Sequence, residues 1–239
     1  MVLHLHSGNT ATWLAASTAR AARIRSAIDA HVDVVVVLDD AWKARLEPWL
    51  GEVEVVPNPV DQIHVPPTAP SSGTNLLVMG RDAPVKRRGF ALDVLHHVRR
   101  ERPEVHLHLT GGKRSTGAGW TRHGWLEDAD RLRLLQSTDV LLLPSRFEGQ
   151  PLAALEALAC GVPVLASHAL VGLPPTVARP DNDTLEAWSV AVCRLLDDRP
   201  SQETLVASVA PHAVEAITAR WAEVYALAVE RAARRGVSP

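Results

Sequence analysis

The stretch from Leu141 to Ser167 constrains the fold most, because it places a helical segment between two short apolar runs. Its residues, LLLPSRFEGQPLAALEALACGVPVLAS, predict a buried strand, a polar turn, a helix and a second strand. Further upstream, the β-branched run VDVVVVL from Val32 to Leu38 is typical of a strand that is buried on both faces of a parallel sheet. Similar strands and helices alternate along the chain. The sequence therefore predicts an α/β fold with a doubly wound, Rossmann-like parallel sheet.

A change of pattern divides the chain. Residues 61–73, DQIHVPPTAPSSG, are rich in proline and have no periodicity, which predicts a linker. We expect a small α/β domain at 1–60, a larger one at 74–210, and a C-terminal helix within 211–239, where apolar residues recur at helical spacing.

Composition excludes several classes of protein. The chain has 25 Lys and Arg residues and 27 Asp and Glu residues. Because positive charge is not in excess, the composition does not indicate a nucleic-acid partner. The two cysteines, Cys160 and Cys193, are isolated in apolar helical segments, which favours reduced thiols. No apolar run is long enough to span a bilayer, and the first residues lack the layout of a signal peptide. We expect a cytoplasmic protein.

Ligands of a doubly wound sheet bind at the carboxyl ends of its strands. The loops predicted there are 81–89, 111–119, 122–127 and 145–152. In the first of them, Gly80 and Arg81 end a predicted strand and Lys86 follows five residues after Arg81. A planar guanidinium and a compact ammonium together suit a diphosphate. The alternative is a solvated basic turn.

Two acids, Glu148 and Glu156, flank the turn and helix of the 141–167 stretch. Eight helical residues would separate them by about 12 Å, the scale of a nucleoside diphosphate sugar. Glu156 then accepts hydrogen bonds from ribose hydroxyls, while the amides of Gly149, Gln150 and Leu152 face an anion. The alternatives are a helix-dipole role for Glu148 and plain surface exposure for Glu156.

Histidines raise the question of a metal. The pairs His4/His6 and His106/His108 each point to one face of a predicted strand, but neither has a carboxylate or cysteine near it in sequence. We therefore expect no metal site. Asp183, in an acidic segment ahead of a helix, is expected to cap that helix.

The motifs carry a resemblance to a known family. PSRFEGQPLAALEALACGVPVLAS resembles the Glu-x7-Glu donor motif of family-4 retaining glycosyltransferases of the GT-B fold, and GRDAPVKRRG resembles their Gly-Arg…Lys loop. HGWLEDADRLRLL and STDVLLLPS are similar to theirs in order and spacing. The resemblance extends from His4 to Tyr225. It implies a GT-B-like protein with a complete C-terminal donor-binding domain, a partial N-terminal domain and a final helix that crosses back to the latter.

The resemblance also implies residue roles. Arg81 and Lys86 would hold the diphosphate, Glu148 would contact the transferred sugar, Glu156 would bind the ribose, and His6 would reach toward the sugar. The alternative for His6 is a surface histidine at a strand end. The implied catalytic residues are Glu148, Arg81, Lys86 and His6. The implied donor-binding residues are Gly80, Arg81, Lys86, His123, Gly124, Glu148, Gly149, Gln150, Pro151, Leu152 and Glu156, with His123 and Gly124 at the base. The expected reaction moves a sugar with retention from a nucleoside diphosphate to an unknown acceptor, without a metal or other cofactor.

The start of the chain resembles the late strands of the family's first domain, so most of the acceptor half would be absent. We therefore expect an N-terminally truncated member, through a start codon assigned too far downstream, a natural truncation completed by a partner chain, or a binding-only protein. Association with another chain or a peripheral membrane contact stays open. A non-catalytic nucleotide-sugar-binding subunit is the main alternative function. A GT-B sugar-nucleotide epimerase is a further one, although no set of acid/base carboxylates for it is evident.

Overall fold

The computed structural model describes residues 1–6, 9–61 and 74–236. Its strands are β1 (Val2–His4), β2 (Val34–Val37), β3 (Val53–Val55), β4 (Asn75–Val78), β5 (His106–Leu109), β6 (Gly111–Gly117), β7 (Trp120–Gly124), β8 (Val140–Leu143) and β9 (Val164–Ala166). Its α-helices are α1 (Thr10–Ala15), α2 (Thr18–His31), α3 (Asp40–Leu50), α4 (Arg88–Val98), α5 (Asp128–Gln136), α6 (Leu152–Ala159), α7 (Leu185–Asp197), α8 (Gln202–Ala207) and α9 (Val214–Gly236). No helix in these described ranges is both long and apolar enough to cross a membrane.

The chain forms two units. The first comprises Met1–Pro59, Phe147–Gln150 and Pro211–Pro239, and the second comprises Val60–Arg146 and Pro151–Ala210. Apart from Asp61, the predicted linker at 61–73 lies outside the described residues. The four residues Phe147–Gln150 belong to the first unit, although they stand between β8 and α6 of the second.

The first unit is built on a parallel sheet with the order β1-β2-β3. Every residue of β2 is buried, as its uninterrupted run of valines predicts. On one face of the sheet, Val34 and Val36 pack against Ile217, Val224 and Ala228 of α9. The unit's core therefore joins an early strand to the last helix.

The second unit holds a six-stranded sheet with the order β6-β7-β5-β4-β8-β9. The pairs β5/β7, β4/β5, β4/β8 and β8/β9 are all parallel. Apolar side chains of α6 and α8 pack in one core cluster, with one alternate set of residues from β4 and β8. Those of α4 and α7 pack in a second cluster, with the other alternate set. Helices thus cover both faces, which confirms the predicted doubly wound α/β fold.

One edge of this sheet differs from the prediction. Most of the predicted loops at 111–119 and 122–127 is a β-hairpin, in which β6 runs antiparallel to β7. Beyond Gly111, every residue of β6 is exposed, so the strand has no alternating apolar pattern that sequence reasoning would detect. Lys113 and Arg114 lie on this outer strand, where charged residues discourage pairing with other chains.

The prediction that Asp183 caps α7 is wrong. Thr184 is the cap, because its side chain accepts a hydrogen bond from the amide of Ala187. Asp183 instead accepts from Arg87, with Nη1 2.6 Å from Oδ2, and from the indole of Trp188 at 3.1 Å. A long-range ion pair has replaced the local cap that the sequence predicts.

Candidate functional site

The segment Phe147–Gln150 is held within the first unit by the residues that follow its strands. Trp42 Nε1 donates a hydrogen bond to the carbonyl oxygen of Gly149 at 2.8 Å. The carbonyl oxygen of His6 lies so close to Gly149 that a β-carbon at this position would overlap it. Glycine is therefore required here because of the close backbone approach. This contact brings His6 next to the segment that carries Glu148.

The side chain of Gln150 has a structural role. Its Oε1 accepts from the amide of Asn58 at 2.7 Å, and its Nε2 donates to the carbonyl oxygen of Leu38 at 3.3 Å. The Asn58 side chain in turn donates to the Gln150 carbonyl oxygen at 3.2 Å. Gln150 is buried, so these bonds fix the segment after β2 and β3. The sequence predicts anion binding by the backbone amide of Gln150, which is a separate role from that of its side chain.

The two predicted sugar-side residues differ in exposure. His6 is exposed and Glu148 is half-buried. The His6 ring lies 3.9 Å from the ring of His4, centroid to centroid. Burial, together with the neighbouring His6, lowers the pKa of His4 to about 4. His4 is therefore neutral at physiological pH.

In the second unit, the carboxyl ends of β4 and β5 approach each other through two glycines. A β-carbon on Gly111 would lie 2.5 Å from the carbonyl oxygen of Gly80. The amide of Gly80 donates to the hydroxyl of Thr110 at 2.9 Å. Gly80 and Gly111 thus form a strip of backbone without side chains, in which Gly111 is buried and Gly80 is half-buried. A phosphate can approach the backbone of a glycine closely.

Lys86 lies over this strip. A β-carbon on Gly80 would be 3.5 Å from both Cε and Nζ of Lys86, so the ammonium group sits directly above the glycine. The amide of Arg146 donates to the carbonyl oxygen of Val85 at 3.0 Å, which ties the Lys86 loop to the turn after β8. Arg81 is exposed beside the strip. The structure thus brings Gly80, Arg81 and Lys86 together at one strand end.

Arg88 is a residue that sequence reasoning missed. Its side chain is only 5% exposed and donates to the carbonyl oxygens of Gly80, Thr110 and Gly111. Burial lowers the pKa of this guanidinium. A buried arginine that binds three carbonyls is incompatible with a wholly solvated basic turn. The run KRRG offered no signal that would separate this arginine from its neighbours.

His123 and Gly124 end β7, on the far side of β5 from β4. The Nε2 of His123 lies 2.9 Å from the Nδ1 of His108, so one ring donates and the other accepts. Burial is the main cause that lowers the pKa of both rings, that of His108 to about 4. After Gly124, Trp125 is 72% exposed. The predicted base loop therefore combines a histidine held by a ring-to-ring hydrogen bond with an exposed tryptophan.

The remaining donor residues lie on α6. Pro151 is its N-cap without a side-chain hydrogen bond, and Leu152 is its first residue, with 49% of its surface exposed. The first amides of a helix have no acceptor within the helix, so this end is suited to an anion. Because α6 begins only at Leu152, the distance that the sequence predicts from a continuous helix between Glu148 and Glu156 does not apply.

Glu156 has a partner that the sequence did not reveal. Arg131 of α5 places Nη1 2.6 Å from Glu156 Oε2. Along the chain, α5 precedes β8 and α6 follows it. The spacing of apolar residues does not fix the rotation of one helix against another closely enough to predict this pair.

No three His, Cys, Asp or Glu residues within 1–6, 9–61 and 74–236 are grouped so as to hold a metal.

Comparison with known proteins decides the family. A model for the glycosyl transferases group 1 family matches residues 73–198, which is more than half of the chain. The chain belongs to this family. All of the predicted donor-binding residues lie within the matched region. Of the predicted catalytic residues, His6 lies outside it.

Curated relatives of this group 1 chain are longer than it is. A D-inositol 3-phosphate glycosyltransferase of Thermobispora bispora is 32% identical over 199 residues, which cover 69% of this chain and 46% of the relative. The group 1 chain thus spans less than half the length of that relative.

Solved structures resemble most of the group 1 chain. Sucrose-phosphate synthase of Thermosynechococcus elongatus has a TM-score of 0.74 at 24% identity and covers 94% of this chain and 66% of its own. HepE of Anabaena, solved in complex with UDP and glucose, has a TM-score of 0.75 at 16% identity, with 94% and 71% covered. At such identities the likeness shows the fold, and it confirms the predicted GT-B-like architecture.

Proposed function

We propose that this chain binds a nucleoside diphosphate sugar and transfers the sugar, with retention and without a metal, to an acceptor. The observation that carries the proposal is the placement of Lys86 over the bare backbone of Gly80 at the carboxyl edge of the six-stranded sheet. Ligands of doubly wound sheets bind at that edge. Membership of the group 1 family and the names of the curated relatives support the transfer of a glycosyl group.

In the proposed complex, the diphosphate binds at the Gly80 strip. Arg81 and Lys86 supply permanent positive charge, and Arg88 holds the carbonyls beneath them in place. Breaking the bond between the sugar and the diphosphate develops negative charge on phosphate oxygens. Fixed cations and a helix N-terminus stabilise this charge more in the transition state than in the ground state, because the charge develops there. Since these groups are already oriented, they need no reorganisation.

The nucleoside is assigned to residues outside the Gly80 strip. Glu156 accepts hydrogen bonds from the ribose, and the segment around His123 and Gly124 lies against the base. The complex of HepE with UDP and glucose is a fold-level analogy for a nucleotide and a sugar on this architecture. Glu148 and His6 are assigned to the transferred sugar on the family resemblance.

In this proposal the departing phosphate explains why the anomeric configuration is retained. The phosphate accepts the proton of the acceptor hydroxyl on the face of the sugar from which it leaves. The bond to the acceptor therefore forms on the same face as the broken bond to the diphosphate. The protein supplies charge stabilisation and orientation, and no side chain forms a covalent intermediate.

The test is donor binding and transfer by the full chain. Dissociation constants for UDP- and GDP-sugars are measured by calorimetry on the wild type, Lys86→Ala and Glu156→Ala. Because a hydrogen bond to a charged group contributes about 1.5–3 kcal/mol, we expect each variant to weaken binding at least about tenfold. Lys43→Ala and Glu186→Ala, on α3 and α7, are the matched controls and should bind as the wild type does.

Three results would contradict parts of the proposal. Equal affinity in wild type, Lys86→Ala and Glu156→Ala would overturn the donor site. Normal donor binding, with neither hydrolysis of the donor nor transfer to added acceptors, would favour a binding subunit over an enzyme. An anomeric product of inverted configuration would exclude the retaining mechanism.

A further inference from the structure

The ion pair between Arg131 and Glu156 is partly sheltered. The Arg131 and Glu156 side chains are 34% and 27% exposed, whereas Asp128, which lies 3.4 Å from the other terminal nitrogen of Arg131, is 97% exposed. Pairs that are partly removed from water are screened less than fully exposed ones. The 2.6 Å contact with Glu156 therefore dominates the orientation of this guanidinium.

The backbone of Glu156 is fixed independently of this pair. Its helix neighbours Ala154, Leu155, Ala157 and Leu158 are all buried. Only the side-chain torsions of Glu156 remain to be set, and a glutamate without a partner samples several rotamers. Arg131 removes that freedom by contacting Oε2. A carboxylate accepts hydrogen bonds at both oxygens, so Oε1 retains its capacity to accept from a ligand.

Arg131 also connects two predicted parts of the ligand site. It lies seven positions after Gly124, on the helix that follows the β7 segment assigned to the base. Its partner lies on α6, whose N-terminus is assigned to the diphosphate. An uncompensated carboxylate near a diphosphate would repel it, and the adjacent guanidinium offsets that charge.

We propose that Arg131 is a positioning residue for the ribose subsite: it holds Glu156 through Oε2 so that Oε1 accepts a hydrogen bond from a ribose hydroxyl. The inference rests on the proposed function, since it assumes that a nucleoside diphosphate occupies the carboxyl edge. It adds a specificity determinant, because a chain that orients Glu156 in this way distinguishes a nucleotide with ribose hydroxyls from one that lacks them.

The experiment measures discrimination rather than affinity alone. Dissociation constants of UDP and 2′,3′-dideoxy-UDP, and of GDP and 2′,3′-dideoxy-GDP, are determined by calorimetry on the full chain. The ratio within a pair is obtained on one preparation, so an inactive fraction does not affect it. For the wild type we expect a ratio of about ten or more, the effect of a charge-assisted hydrogen bond. Glu156→Gln should reduce it.

Arg131→Met, which keeps the apolar stem but removes the charge, should bring the ratio close to one. Arg131→Lys, which keeps the charge but not the planar fork, should give an intermediate ratio and provides a readout if the methionine variant does not fold. The matched control is Arg133→Met on the same helix, because Arg133 is 71% exposed and pairs only with Asp130 among the described residues. Its ratio should equal that of the wild type.

The outcomes separate the two proposals. If the wild type binds none of these nucleotides, the proposed function fails and this inference fails with it. If the wild type discriminates and Glu156→Gln does not, while Arg131→Met retains the wild-type ratio, the inference alone is overturned. If Glu156→Gln also retains the ratio, Glu156 is not the ribose acceptor and the inference is overturned on that ground.

Discussion

The carbonyl oxygen of His6 occupies the space that a β-carbon on Gly149 would need. Both residues belong to the first unit, and the overlap involves backbone, which cannot rotate away. We predict that Gly149→Ala lowers the free energy of unfolding by about 1–3 kcal/mol, as overpacking does elsewhere. Urea denaturation measures it. Gly89→Ala is the control, since a β-carbon there meets no atom within 4 Å and alanine favours its helix, α4.

A second prediction concerns the indole that donates to Gly149. Trp42→Phe keeps an aromatic ring but removes the Nε1 donor and its 2.8 Å hydrogen bond. We expect a loss of about 1 kcal/mol of stability, together with slower transfer, because the segment that carries Glu148 loses a constraint. Trp13→Phe serves as the comparison, since Trp13 is 49% exposed. Equal losses in the two variants would show that the hydrogen bond contributes nothing.

A third prediction concerns Arg88. Replacing it by methionine leaves the carbonyl oxygens of Gly80, Thr110 and Gly111 without this donor in a buried setting. We expect a loss of at least about 2 kcal/mol and weaker donor binding, because the strip beneath Lys86 is no longer held. Arg88→Lys should rescue little, since an ammonium does not reproduce the fork. The exposed Arg100→Met is the control, and a wild-type denaturation curve for Arg88→Met would refute the prediction.

The histidine pair predicts a dependence of stability on pH. In the folded chain the pKa of His108 is about 4, well below the ordinary value of about 6.5 that applies to the unfolded chain. Between these values the unfolded chain binds more protons, so stability falls as the pH drops from about 6.5 toward 4, by at most about 1.4 kcal/mol per pH unit for one group.

His108→Gln should therefore reduce the dependence of the thermal unfolding midpoint on pH over that range. The share that comes from His4, whose pKa is also about 4, should remain. The exposed His31→Gln, at the end of α2, should keep the wild-type slope. A slope that is the same in His108→Gln and in wild type would assign the pH dependence to other groups.

Much of the scaffold was predictable because strong local patterns specify it. The four consecutive valines of β2 and the apolar run of β8 are completely buried, as continuous β-branched or aliphatic runs in a parallel sheet should be. The edge strand β6 was missed, because its side chains are exposed on both faces and carry no periodic signal. Backbone pairing, which sequence patterns do not report directly, decides its structure.

Part of the candidate site was predictable because it depends on residues that are close in sequence. Gly80, Arg81 and Lys86 stand together because they occupy one strand end and one short loop. The contacts of Arg88 and Arg131 depend on how helices are rotated and packed after folding. The adjacent arginines Arg87 and Arg88, for example, bind different partners, a carboxylate and backbone carbonyl oxygens. Local sequence contains no information on such rotations.

The packing of α9 against β2 has a consequence for the order in which the chain acquires its structure. Val34 and Val36 are covered by Ile217 and Val224, so the first unit cannot bury this face of its sheet until Val224 has left the ribosome. The six-stranded sheet requires nothing beyond β9 for its pairing. During synthesis the second unit is therefore able to form its sheet first. Until α9 is made, nearly two hundred residues later, the valine-rich strand β2 is exposed to chaperones and prone to aggregation.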